Sequence, residues 1–248
     1  MKNTACFLIL ISTVSLGIHS RVASAQDADK MAWSIIPYVW APTTKLDLSF
    51  QDTDLGGGRI SVDDLLDVLD AAFMVHVEGG RGNWSAFGDL TYLETSDKEK
   101  RPLLNIDIEG EQTFLDAAVA YWPDGVGSPL NVFGGVRYSS LEDQYRFNLG
   151  GSQLTKRKSS EDYYDALLGL RYRFDLAERW SVITRGDFSF GDSEGIFMLQ
   201  ASVAYTVGAK RQNKIIFGYQ YKEAEYENGD LTTEFTYHGP VAGFNFRF

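Results

Sequence analysis

His76 and Glu78 sit two residues apart, and a spacing of two puts both side chains on one face of a β-strand. A histidine beside a carboxylate is the minimum equipment for general acid–base chemistry. The more numerous chemical groups are mid-strand charges: Glu78, Asp89, Asp116, Asp165 and Asp187 against Arg137, Arg171, Arg173, Arg185 and Arg247, five acids and five bases. Most occur one per stretch or in i, i+2 pairs, close to small residues such as Gly80, Gly135, Gly169 and Gly243. Lys is nearly absent from these stretches, with Lys222 as an exception. Guanidinium forks matched to carboxylates predict a compensated internal network, because buried charge has to be paired.

Those charges ride on ten stretches with a period of two, rich in aromatic and β-branched residues: 33–51, 71–81, 84–95, 108–122, 130–148, 160–175, 180–191, 195–208, 213–226 and 231–248. Opposite the charges run apolar faces such as Phe73-Val75-Val77, Leu115-Ala117-Val119-Tyr121, Leu168-Leu170-Tyr172-Phe174, Leu199-Ala201-Val203-Tyr205 and Ile215-Phe217-Tyr219-Tyr221. Trp84, Tyr121, Tyr138, Tyr172, Trp180 and Tyr205 fall near strand ends, as interfacial aromatics do. Alternation does not say which face is inside. Arg and carboxylates among glycines favour a filled lumen, with the oily face turned to lipid. The alternative is a soluble lipocalin-like ligand-binding barrel with its apolar face inward. Short turns (81–83, 123–129, 175–179 and 208–213) alternate with longer links near 52–70, 96–107 and 149–159, the asymmetry of a membrane barrel. Pro37 and Pro42 interrupt the first stretch, so 33–41 and 44–51 are candidates for separate elements, and eight or twelve strands are alternatives to ten.

One segment departs from period two. Val62, Leu65, Leu66 and Leu69 follow helical spacing behind a Ser61 cap, with Asp63 and Asp64 at the positive end of the helix dipole. A short amphipathic helix is expected in the first long loop, over the barrel mouth or on its rim. A sharper reading makes Asp63, Asp67 and Asp70 a divalent-cation site, although the alternating oxygen ligands of a dedicated calcium loop are missing.

The ends of the chain set its address. Lys2, the apolar run Ala5–Ile18 and the small-residue site Ala23-Ser24-Ala25 read as a secretory leader cut after Ala25, leaving the barrel domain at 26–248. The run is too short to span a bilayer as a helix, which takes about 20 apolar residues. Cys6, the only cysteine, lies inside the leader, so no disulfide staples the barrel. Loss of Lys2 and Arg21 with residues 1–25 leaves 21 bases against 34 acids, a net charge of −13 that argues against a nucleic-acid partner. At the other end Phe244, Phe246 and Phe248 share one strand face.

That last strand resembles the C-terminal targeting strand of bacterial outer-membrane β-barrels, which ends on Phe with aromatics two and four residues earlier. The segments Trp33–Trp40, Ser61–Asp70, Phe73–Gly80 and Trp84–Tyr92 are similar to a family of uncharacterised bacterial outer-membrane β-barrel proteins. The first likeness covers one strand and the second about a third of the mature chain. The resemblance implies an all-β, closed antiparallel up-and-down barrel, exported to the outer membrane of a Gram-negative bacterium. Its partners would be lipid, lipopolysaccharide and the barrel-assembly machinery. It supplies no activity, catalytic residues or cofactor.

Three functions follow as expectations. A ten-stranded barrel lined by the ten charges is a structural barrel or a narrow pore for small solutes, since about eight strands already fill with side chains. An enzyme acting on lipid or peptide would use His76, because the other histidine of the mature chain, His238, phases with the apolar face. A surface-binding role would rest on Asp52, Asp54, Glu94, Asp97, Glu99, Glu223, Glu225 and Glu227, which could hold cations that bridge lipopolysaccharide. Asn83-Trp84-Ser85 spells a glycosylation sequon without weight in a bacterial chain, and no phosphate-cradling loop, Cys/His metal spacing or nucleophile elbow occurs. Neither a metal nor a cofactor is expected.

Overall fold

The computed structural model describes residues 31–51, 53–100, 104–149, 152–208, 212–228 and 230–248. The predicted leader, its cleavage site and Asp52 lie outside these residues, as do the side chains of Asp97 and Glu99. Twelve strands and one helix follow in order: β1 Ala32–Trp40, β2 Thr43–Phe50, β3 Thr53–Ile60, α1 Val62–Val68, β4 Leu69–Arg81, β5 Trp84–Lys100, β6 Leu104–Tyr121, β7 Leu130–Leu149, β8 Ser152–Asp175, β9 Trp180–Gly191, β10 Gly195–Val207, β11 Asn213–Asn228 and β12 Leu231–Arg247. Among the described residues no helix is long and apolar enough to cross a membrane.

Neighbouring strands pair antiparallel from β4 through β12, and β1 closes the circle by pairing with both β4 and β12. The barrel therefore has ten staves. β2 is the upward continuation of β1: the ladder on β12 runs from Trp40 opposite Val241 to Thr43 opposite His238, with the Ala41 N–H donating to the Pro240 carbonyl at 3.1 Å across the break. The two prolines act differently. Pro42 ends one element and lets the next resume on the same partner. Beyond Pro37 the backbone ladder between β1 and β4 stops, and the Trp40 N–H donates instead to Met74 Sδ of β4 at 3.1 Å. β3 folds back on β2 as an exposed hairpin outside the ten staves.

The first described strand begins and the last ends on one side, where Trp33 and Phe248 exchange backbone hydrogen bonds of 3.0 and 3.2 Å. The short turns share that side with the Trp84–Tyr121 and Trp180–Tyr205 ring pairs. On the far side the links expected at 96–107 and 149–159 are largely strand: β5 and β6 stay in register to Lys100 opposite Asn105, and β7 and β8 pair, past a register shift between Phe147 and Asn148, to Leu149 opposite Ser152. Period two does not reveal them because a hairpin standing in water has no oily face to alternate.

The apolar faces point outward as expected. Phe217 is 63% exposed, with Leu170, Val203, Leu115 and Phe73 exposed on other staves. A closed barrel satisfies every ladder group internally, which lets such a surface face hydrocarbon. α1 forms where its spacing predicts, with a full capping box: Ser61 Oγ accepts from the Asp64 N–H at 3.3 Å and the Asp64 carboxylate accepts from the Ser61 N–H at 3.1 Å. None of its residues is buried. Asp63, Asp67 and Asp70 do not form a cation site, for no group of three or more His, Cys, Asp or Glu side chains that could hold a metal ion occurs among the described residues.

Candidate functional site

Register places the charges before any side-chain contact is made. His76 of β4 stands opposite Asp89 of β5, Asp89 opposite Asp116 of β6, and Asp116 opposite Arg137 of β7. Asp89 against Asp116 is a like-charge cross-strand pair, unfavourable by itself. Arg185 reaches over from β9 and resolves it: Nη2 donates to Asp116 at 2.8 Å, Nη1 to Asp89 at 3.4 Å, and Nε to Asp187 at 2.7 Å. Arg137 forks onto Asp116 at 2.7 and 2.9 Å and donates to Asp187 at 2.9 Å. Lower down, Arg171 grips Glu78 at 2.8 and 3.0 Å, donates to Asn131 Oδ1 at 3.0 Å, and lies 4.7 Å from the Phe87 ring centre. Ser85 Oγ donates to Glu78 at 2.6 Å and accepts from Trp122 Nε1 at 2.8 Å.

His76 joins the two groups. Its Nδ1 lies 2.9 Å from Asp89 and its Nε2 3.5 Å from Glu78. The sequence pointed to Glu78 as its carboxylate, but Asp89 is the nearer. Both ring nitrogens are engaged by carboxylates already clamped by arginine, and no hydroxyl or thiol among the described residues is hydrogen-bonded to the imidazole. The ring also packs against Phe87 at 5.2 Å between centres. It works as the rivet between two ion-pair groups. His238 faces outward on β12, 2.7 Å from the Tyr219 hydroxyl.

Seven of the ten expected charges thus meet in one belt: Glu78, Asp89, Asp116, Arg137, Arg171, Arg185 and Asp187. Three stand outside it. Asp165 is buried but accepts from Ser189 at 3.2 Å and from the Ser193 N–H and hydroxyl at 3.0 and 2.6 Å, tying down the β9–β10 turn. Arg173 pairs at the rim with Asp175 at 3.0 Å and with the Gly127 carbonyl at 2.9 Å. Arg247 is exposed at the same rim, its backbone N–H on Asn213 Oδ1 at 3.2 Å. The belt needs room, and Gly169 supplies it. A Cβ there would fall 2.3 Å from Phe133 Cζ and 2.6 Å from Asp187 Cβ.

Above the belt the lumen is filled by Trp40, Met74, Leu93, Phe114, Tyr237 and Val241, with Tyr163, Ile196, Ala224 and Tyr226 beside them. These inward aromatics were not anticipated. The available signal was phase, since Phe87 and Phe114 each precede an inward aspartate, Asp89 and Asp116, by two residues. Two of the cavities beside this packing adjoin the belt. One, about 160 Å³, lies at belt height against all ten staves; the other, about 190 Å³, lies toward the side of Trp33 and Arg247. They share Ile36, His76, Arg171, Ile183 and Ile216 as a common wall. On β12, Phe244 and Phe246 pack together at 4.6 Å, and Phe246 and Phe248 are exposed at the barrel foot.

No protein-family model matches the chain, and no curated protein is detectably similar to it in sequence. Solved structures do match. The outer-membrane protease OmpT of Escherichia coli aligns at 8% identity over 88% of this chain and 97% of its own, with a TM-score of 0.55. The attachment invasion locus protein Ail of Yersinia pestis aligns at 10% identity over 88% and 99% with a TM-score of 0.41, and Neisserial surface protein A at 13% over 89% and 100% with a TM-score of 0.26. At such identities the likeness concerns fold, and the OmpT match alone of these three is close enough to argue from. Outward apolar faces, an inward charge belt and this neighbour agree: the chain has the fold of a bacterial outer-membrane β-barrel.

Proposed function

We propose that the protein is an integral outer-membrane barrel with a closed lumen, acting as a structural barrel. The observation that supports this reading is the packing of the barrel interior: the ion-pair belt and the aromatic cluster above it line small cavities of about 160 and 190 Å³. A side-chain-filled interior is what a barrel of this strand number affords. The experiment is conductance of the detergent-folded protein in planar bilayers. The closed reading predicts silence. Regular ohmic steps would replace it with the narrow-pore reading, which the wall shared by the two cavities favours.

The similarity to OmpT raises proteolysis as a second reading, with His76 beside Asp89 as its acid–base pair. Burial of His76 below the aromatic cluster opposes it, because a peptide arriving from outside meets Trp40 and Phe114 first. Peptide hydrolysis that disappears in His76→Ala while the barrel stays folded would establish it. Three further parts of the proposal concern export and surroundings. The leader is cut after Ala25, Phe244, Phe246 and Phe248 present the chain to the barrel-assembly machinery, and the outward faces meet lipid and lipopolysaccharide. Phe248→Ser is expected to reduce the amount of barrel in the outer membrane while the purified chain still folds in detergent.

A further inference from the structure

The walls of the cavity at belt height gather several donors with nothing to donate to. Lys222 is 5% exposed, and its ammonium lies 3.3 Å from the centre of the Phe114 ring. It makes no hydrogen bond or ion pair with any described residue. Arg137, 2% exposed, commits Nε and Nη2 to Asp116 and Asp187 and leaves Nη1 without a partner. Trp40 Nε1 and Ser202 Oγ are likewise buried and unpartnered, and both residues line the cavity. The carboxylates in its wall, Asp89 and Asp116, are already taken by His76, Arg137 and Arg185. Buried donors left unsatisfied are costly, and a ring face compensates an ammonium only in part.

We propose that this cavity is a binding site for one small oxyanion, of carboxylate or phosphate type, held between the Lys222 ammonium and the free Nη1 of Arg137. A point charge and one arm of a guanidinium fork are the usual partners of such oxygens. Trp40 and Ser202 supply neutral donors beside them. The volume, about 160 Å³, is close to that of an engineered cavity that accepts benzene, so formate, acetate or phosphate fits. The second cavity, which shares the His76 and Arg171 wall, lies between this site and the side of Trp33 and Arg247. The site does not depend on whether the barrel is closed or conducting.

Isothermal titration calorimetry on the full barrel folded in detergent tests this, with sodium formate, sodium acetate and inorganic phosphate at constant ionic strength. Saturable binding of one anion per barrel is expected for at least one of the three, and which one binds distinguishes carboxylate from phosphate. Lys222→Met is expected to weaken it at least tenfold. Gln220→Glu places a carboxylate two residues from Lys222 on the same inward face, occupies the site with the chain's own oxygens, and is expected to abolish it. Folding of each variant is checked by heat-modifiable mobility on a gel, and should Lys222→Met not fold, Gln220→Glu decides alone. Absence of saturable heat with all three anions, or wild-type affinity in a folded variant, would overturn the proposal.

Discussion

The two levels of the lumen are packed by opposite means. The upper level is packed with Trp40, Met74, Leu93, Phe114 and Tyr237, which touch without direction, so that a lost ring leaves a void. The belt below is held by ion pairs between 2.7 and 3.4 Å, most of them between different staves, so that a lost member leaves a charge. A void beneath an open mouth admits water. An unpaired carboxylate in the middle of a packed barrel has no such remedy, so the belt is the less forgiving level.

The largest expected effect is therefore at Arg137. Arg137→Met strips Asp116 and Asp187 of one partner and should cost about 3–5 kcal/mol, the usual penalty for breaking a buried pair. Urea unfolding of the barrel in detergent measures it, and a loss below about 1 kcal/mol would remove the distinction between levels. Next comes the upper packing. Trp40→Ala and Phe114→Ala, as single variants, should each cost about 3 kcal/mol, at the low end for buried aromatics because water can enter the space. The two combined should turn a silent barrel into a conducting one if the rings are the barrier, whereas continued silence would assign closure to the belt.

Smaller still is Gly169→Ala, where a methyl meets Phe133 and Asp187. Overpacking of this kind costs about 1–3 kcal/mol. The smallest effect belongs to neither level. Ser61→Ala removes the α1 cap and should loosen amide exchange in residues 62–68 without moving the unfolding midpoint. The Ser61 hydrogen bonds hold the Asp64 carboxyl below its ordinary range. A carboxyl lowered on folding contributes stability that is present above its unfolded value and lost as pH falls through its folded value. Acid should therefore loosen α1 at higher pH in Ser61→Ala than in the wild type.

The comparison also explains what was legible in the sequence. Ten staves, the outward faces and the α1 cap were readable because lipid and helix geometry impose strict periods. The exposed hairpin of β3 and the tall ends of β5–β8 were not, because strands in water carry no such period. Pairings across the lumen were only partly readable. Arg185 reaches Asp89 and Asp116 from β9, a contact set by barrel curvature rather than by spacing. Asp165 resembled Asp116 in the sequence yet sits one level higher, where Ser193 completes it. Lys222 stood out by type alone; the bare cavity beside it has no sequence signature.

Accessibility along β10 and β11 tests the central claim most directly. Single cysteines on a Cys6→Ser background at Ala201, Ser202, Val203, Ile216 and Phe217, each carrying a nitroxide in lipid vesicles, report collisions with oxygen from the hydrocarbon side. The account predicts high oxygen collision rates at 201, 203 and 217 and low rates at 202 and 216. The reverse pattern, with 202 and 216 lipid-exposed and 203 and 217 shielded, would contradict a barrel that turns its oily face outward around a charged, filled lumen.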